Sequence, residues 1–119
     1  MSLLSPLTAI GLMSGTSLDG VDAALIQTDG TRIFRHGPAL TVPYTAELRA
    51  RLRRILDEAP QLASSDPALL SAEHDLTKVH AIAVEKLRQM APDMPADLIG
   101  FHGQTILHQP GRTWQIGNA

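Results

Sequence analysis

Two stretches of the sequence concentrate groups able to do chemistry. The first, Ser14-Gly15-Thr16-Ser17-Leu18-Asp19-Gly20-Val21-Asp22, packs small, turn-forming residues between two apolar runs. Gly15 and Gly20 permit positive φ and a close approach of backbone to a ligand. Successive backbone N–H groups in such a turn can form an anion-binding concavity, with the Thr16 and Ser17 hydroxyls as extra donors. Asp19 and Asp22 are hard oxygen donors suited to a hydrated Mg²⁺, which takes one or two carboxylates and keeps its waters. The same composition also describes a Gly-rich hairpin held by Asx and Ser/Thr turns, with no ligand. It has neither the Gly-Lys-Ser/Thr ending of the nucleoside-triphosphatase loop nor the G-x-G-x-x-G of dinucleotide binders.

The second stretch is Gly100 to Gln115, GFHGQTILHQPGRTWQ. His102 follows a predicted buried strand and is succeeded by Gly103, Gln104 and Thr105. That collects polar side chains at a strand's carboxyl end, where open α/β sheets bind ligands. Gln104 and Thr105 can read sugar hydroxyls, and His102 can donate, accept or move a proton. A histidine satisfying loop carbonyls fits the same residues. His102 and His108 lie six apart with no neighbouring carboxylate, a poor pair for a metal.

The elements that must position these groups follow from hydrophobic period and turn chemistry. Thr8–Met13 and Val21–Thr28 read as strands around the first stretch, and Asp29-Gly30 signals a two-residue hairpin into a third strand, Arg32–Val42, interrupted at Gly37-Pro38. Leu48, Leu52, Ile55 and Ala59 form one helical face, capped near Thr45 and stopped by Pro60. Asp66-Pro67 opens a second helix to Met90, with its apolar stripe at Leu69, Ala72, Leu76, Val79, Ala83, Leu87 and Met90. Asp97–Phe101 is a short buried strand, and Thr113–Ile116 one more. Met13 and Met90 read as core. His74 and His80 read as partly exposed surface, the four arginines at 49, 51, 53 and 54 as a solvated face, and Trp114 as packing. The order is that of an α/β domain.

The 119 residues make one domain, with ten Lys+Arg against twelve Asp+Glu for a net charge of −2. Four aromatics and no basic surplus argue against a nucleic-acid partner. The absence of cysteine excludes a disulfide scaffold, a thiolate metal site and a cysteine nucleophile. No run approaches the ~18 apolar residues of a membrane helix. Met1–Pro6 lacks the basic start and apolar run of a secretory signal, which points to the cytoplasm. The last residues, Gly117-Asn118-Ala119, close no element, so the chain reads as an interrupted fold.

Read together, IGLMSGTSLDGVDAALI (Ile10–Ile26) and GFHGQTILHQP…TWQIGN (Gly100–Asn118) resemble the N-terminal patterns of the anhydro-N-acetylmuramic acid kinases. The resemblance implies a ribonuclease-H-like lobe of the actin-like ATPase, sugar-kinase and Hsp70 superfamily. Residues 1–119 would form most of the N-terminal lobe, with the C-terminal lobe absent. It implies an enzyme that opens the 1,6-anhydro ring of its sugar and phosphorylates O6 with ATP and Mg²⁺, in the recycling of cell-wall murein. By position, Gly15, Thr16, Ser17, Leu18, Asp19, Gly20, Val21 and Asp22 would meet the nucleotide. Ser14, His102, Gln104, Thr105 and Asn118 would serve the sugar. Asp19 or Asp22 would hold Mg²⁺ through water, with no direct metal ligand.

Two departures accompany the resemblance. Sugar kinases of the superfamily usually open this hairpin with Asp-x-Gly-Thr, and Met13 stands in place of that Asp, as it does in the anhydro-sugar branch. The carboxylate base, in an Asp-Thr-Gly-Pro-like segment further along the family's chain, has no counterpart here. The resemblance therefore implies no catalytic residue within this sequence, an inactive isolated chain prone to self-association, and a homodimer only for the full-length kinase. A non-catalytic nucleotide- or sugar-binding module is the alternative.

Overall fold

Alternation of apolar and small or polar side chains builds the first two strands. The computed structural model describes residues 5–14 and 17–117. In it, β1 (Leu7–Ser14) turns Thr8, Ile10, Leu12 and Ser14 inward, and β2 (Gly20–Thr28) does the same with Val21, Ala23 and Leu25. They pair antiparallel from Leu7↔Thr28 to Ser14↔Val21. The next strand, β3 (Ile33–Pro43), is antiparallel to β2, and its register shifts opposite Leu25, where Gly37 and Pro38 sit. Asp29-Gly30 is not a two-residue hairpin. Residues 29–32 separate the strands, because the Asp29 carboxylate accepts the Thr31 and Arg32 N–H groups at 2.9 and 3.0 Å and closes a wider Asx turn.

Both predicted helices form. The first, α1 (Ala46–Glu58), starts where Thr45 Oγ1 accepts the Leu48 N–H at 3.1 Å, and it gives way at Ala59–Gln61 to one 3-10 turn containing Pro60. The second, α2 (Pro67–Met90), starts where the Asp66 carboxylate accepts the Ala68 and Leu69 N–H groups. Its 24 residues span roughly 36 Å. It lies across β2 and β3 with α1 beside it, and together they cover one face of the sheet. No helix among the described residues is long and apolar enough to cross a membrane.

The chain then enters β4 (Leu98–Gln109), parallel to β1, and returns as β5 (Arg112–Ile116), antiparallel to β4. The sheet order is β3-β2-β1-β4-β5. Here the structure corrects the short buried strand. The strand β4 runs twelve residues, carrying His102, Gln104 and Thr105 within it and not beyond its end, and Leu98 and Ile99 are about half exposed. Continued pairing with β5 satisfies backbone groups that would otherwise stop the strand.

Four other expectations change. Met13 and Met90 are exposed at 54% and 56%, since their positions fall on the outer side of strand and helix. His80 is buried: its Nδ1–H donates to the Leu76 carbonyl at 2.7 Å, and its ring lies 4.9 Å from that of Phe101. Arg51 is not merely solvated, reaching Asp75 at 2.6 Å and Ser71 at 2.9 Å. The Arg51 guanidinium beside Asp75 holds that carboxyl below its ordinary value. The pair is part-exposed and contributes at most about 1 kcal/mol. Gly20 does not adopt positive φ; its missing side chain admits the Val42 carbonyl, which a Cβ would meet at 2.3 Å.

Gly20→Ala is therefore expected to cost about 1–3 kcal/mol in urea unfolding. Gly11→Ala, with nothing within 4 Å, should stay within about 0.5 kcal/mol. Burial lowers the His80 pKa below its ordinary 6.5, and the Leu76 hydrogen bond only partly offsets this. The unfolded chain thus takes up the proton first. Stability should be full above pH 6.5 and fall with decreasing pH until the folded-state value is reached, by up to about 1.4 kcal/mol per pH unit. His80→Phe should remove that component of the slope.

Candidate functional site

The site is built around Ser14, the last residue of β1 and a hydroxyl ending an apolar inward row. It is 2% exposed, and Gln104 and Tyr44 beside it are 0% and 3% exposed. The parallel register sets Gln104 directly against Ser14. Ser14 Oγ donates to Gln104 Oε1, an acceptor only, so the Tyr44 hydroxyl must be the donor in its own 2.5 Å bond to Ser14 Oγ. Gln104 Nε2 donates onward to the Thr105 carbonyl at 3.0 Å. Burial raises the Tyr44 pKa above 10.0, partly offset by the Ser14 bond, so the phenol stays protonated and able to donate.

Tyr44 also holds the far end of the connection between β1 and β2. Its backbone N–H donates to the Asp19 carbonyl at 3.0 Å, while Arg49 Nε donates to the Leu18 carbonyl at 3.2 Å. Leu18, not a glycine, takes the left-handed conformation at φ 60°, held there by a fully buried side chain. Such backbone strain persists only where surrounding packing enforces it. Ser17 and Asp19 are exposed on this turn, whereas Gly20 and Val21 are buried at the start of β2. Gly15, Thr16 and Asn118 lie outside the described residues.

Asp22 points to the other side of the sheet from Val21. It is exposed, accepts the Thr41 hydroxyl at 2.5 Å, and lines a shallow hollow of about 410 Å³ with Gly11, Met13 and Thr41. His102 is exposed on β4. Its Nδ1–H donates to the Gly103 carbonyl at 3.2 Å, and its Nε2 accepts from Gln115 Nε2 at 2.8 Å, which together orient the ring. Gly103, at φ +78°, lies within the register irregularity between Leu12↔Phe101 and Ser14↔Gln104. A Cβ there would meet the Ile116 carbonyl at 2.5 Å, so β5 seats closely only against glycine.

The structure thus joins Ser14 to Gln104, with Thr105 next in line, and leaves Asp22, Ser17, Asp19 and His102 exposed. Gln104 and Ser14 are turned inward and hydrogen-bond each other, while Gln104 also holds the Thr105 carbonyl. Tyr44 and Gln115 were not singled out by sequence reasoning, and Arg49, read there as part of a solvated face, instead holds the Leu18 carbonyl. The only advance signal for Tyr44 was a lone tyrosine next to a helix cap. Among the described residues, no three His, Cys, Asp or Glu gather as a metal site.

The family model for anhydro-N-acetylmuramic acid kinase matches residues 7–119. The chain belongs to the anhydro-N-acetylmuramic acid kinase family. It is 62% identical over 113 residues to the kinase of that name from Gluconobacter oxydans, covering 93% of this chain and 31% of the relative. It is similar at 58% identity to the Acidiphilium cryptum kinase, with 93% and 30% covered, and at 49% to that of Nitrobacter winogradskyi, with 95% and 33%. The chain spans about a third of the length of these relatives. The mixed sheet and two helices accord with an incomplete actin-like ATPase-type lobe.

Loss of the phenol in Tyr44→Phe leaves a Ser14 lone pair unsatisfied and should cost about 1–3 kcal/mol. In a double-mutant cycle with Gln104→Leu, the two losses should couple by at least about 0.5 kcal/mol, since both act through one hydroxyl. Additive losses in equilibrium unfolding would break the chain of bonds into independent parts.

Proposed function

We propose that this chain is the N-terminal lobe of a two-lobed kinase that hydrolyses the 1,6-anhydro ring of anhydro-N-acetylmuramic acid and transfers the γ-phosphoryl group of ATP to O6. The product is N-acetylmuramic acid 6-phosphate, and the full-length enzyme is a cytoplasmic homodimer. The observation that carries this reading is the Ser14–Gln104 bond. It ties the root of the nucleotide-side turn to the strand bearing His102 and Thr105, so that donor and acceptor substrates have adjoining seats. Holding two reactants in register is a large part of what a phosphoryl-transfer enzyme must do.

On the nucleotide side, Arg49 and Tyr44 engage the Leu18 and Asp19 carbonyls. Each of those carbonyls thereby has a donor within the protein. In this reading the β- and γ-phosphates are met by the turn 15–17, whose residue types, Gly-Thr-Ser, supply N–H and hydroxyl donors. Asp19 and Asp22, both exposed, offer hard oxygens that fit a hydrated Mg²⁺. When bound, that ion supplies neutralisation of phosphate charge. On the sugar side, His102 presents Nε2 as an acceptor, and a sugar hydroxyl replacing the Gln115 amide keeps it one. Thr105 adds a further hydroxyl on β4, and the family resemblance assigns Asn118 to the sugar as well. The base that activates water belongs to the part of the longer kinases that this chain does not span, so the isolated chain is silent.

A chimera tests the reading. The matched N-terminal third of the Gluconobacter oxydans kinase is replaced by residues 7–119, and turnover of ATP with the anhydro sugar is followed by a coupled assay. The chimera is expected to be active and the 119-residue chain inactive. Asp22→Asn in the chimera should lower kcat by about 100-fold or more with an unchanged melting temperature. A cooperatively folded chimera without turnover would sink the proposal.

A further inference from the structure

A groove between α2 and β4 uses none of the residues assigned above to nucleotide or sugar. Its deeper part is a cavity of about 460 Å³ floored by Leu12 and walled by Thr77, Val84, Ile99 and Phe101. A second hollow shares Val84 and Ile99 and continues to Arg88. From Thr77 to Arg88 the groove follows roughly 16 Å of helix, three turns. Ile99 stands half exposed at its edge.

A buried imidazole also lines the deeper part of this groove. His80 is 2% exposed, its Nδ1–H is committed to the Leu76 carbonyl, and its Nε2 has no hydrogen-bond partner among the described residues. With the tautomer fixed, that nitrogen is an acceptor lacking a donor. A buried polar atom left unpaired is costly, so the arrangement is complete only when a donor arrives. The route by which one can arrive is also visible. Beyond β5 the backbone is anchored where the Gly117 N–H donates to Glu73 Oε2 at 2.9 Å. Glu73 lies one turn before Thr77, which lines the groove, on the same stripe of α2.

We propose that the groove seats the polypeptide that follows the matched region in the full-length kinases of the family. That segment enters beside Glu73, runs along α2 with an apolar stripe against Val84, Ile99 and Phe101, and donates one hydrogen bond to His80 Nε2. The relatives extend to about three times the length matched here, so such a segment exists in them. Tethering at Gly117 delivers it at the high effective concentration of an intramolecular partner. A second copy of this chain fits less well, because a three-turn groove offers far less than the ~1,600 Å² of a standard stable interface.

The test uses the ¹⁵N-labelled 119-residue chain and a synthetic 25-residue peptide copied from the Gluconobacter oxydans kinase, starting at the residue after its matched segment. Saturable binding is expected, with the His80 Nε2 resonance moving as it accepts a proton donor and a scrambled peptide inert. His80→Phe should keep the apolar fit and weaken binding about 5- to 10-fold. Ile99→Asp, at a half-exposed position that leaves the fold intact, should weaken it by 10-fold or more. Failure to bind at millimolar peptide, or binding that leaves His80 unmoved, overturns the proposal. A His80 resonance that moves with protein concentration alone assigns the groove to a second copy and overturns it equally.

Discussion

A hydroxyl placed at the end of an apolar row has to find partners inside the protein or keep that row from closing, and Ser14 is such a hydroxyl. Its neighbours in the row, Ile10 and Leu12, are core residues. The structure resolves the conflict by bringing one donor from the segment after β3 and one acceptor from β4. Tyr44 and Gln104 are both buried for this purpose, and each is itself paired. Three chain segments far apart in sequence are thereby fixed to one oxygen. The turn after Ser14 inherits its position from that point, and so does the polar end of β4.

Close backbone approaches extend the same constraint. Val42 can approach Gly20 because no Cβ intervenes, which brings β3 and hence Tyr44 against the turn. Gly103 adopts a left-handed conformation at the irregularity between β1 and β4. The change of parity puts exposed His102 and buried Gln104 on the same strand two residues apart. One backbone irregularity thus separates the group that can meet a ligand from the group that holds the frame.

Much of this was legible in the sequence, because local rules governed it. Helix caps at Thr45 and Asp66, the apolar spacing of α1 and α2, and the first three strands all rest on interactions within a few residues. What escaped depended on tertiary context. His80 reads as surface among Glu73, His74 and Asp75, but its face of α2 meets Phe101 of β4, and periodicity alone does not reveal that neighbour. The length of β4 depended on β5 continuing the ladder, and the four-residue turn at 29–32 on the reach of one carboxylate. Within the candidate site, the two motif blocks fall on β1–β2 and β4–β5. The division into exposed and buried groups was unreadable, since the residue types of Ser14 and Gln104 do not mark them as buried.

The parallel pairing of β1 with β4 has a consequence for how the protein is made. The strands β1, β2 and β3 form a meander from Leu7 to Pro43 that needs only neighbouring segments. Ser14 and Gln104 are separated by 90 positions, and closing a flexible loop of that size costs about 4 kcal/mol in chain entropy. At a synthesis rate of roughly 5–20 residues per second, β4 follows β3 from the ribosome by several seconds. Until it docks, Ser14 has Tyr44 but not Gln104. The nascent meander therefore carries its turn early and acquires that turn's final setting late, when the two halves of the sheet join.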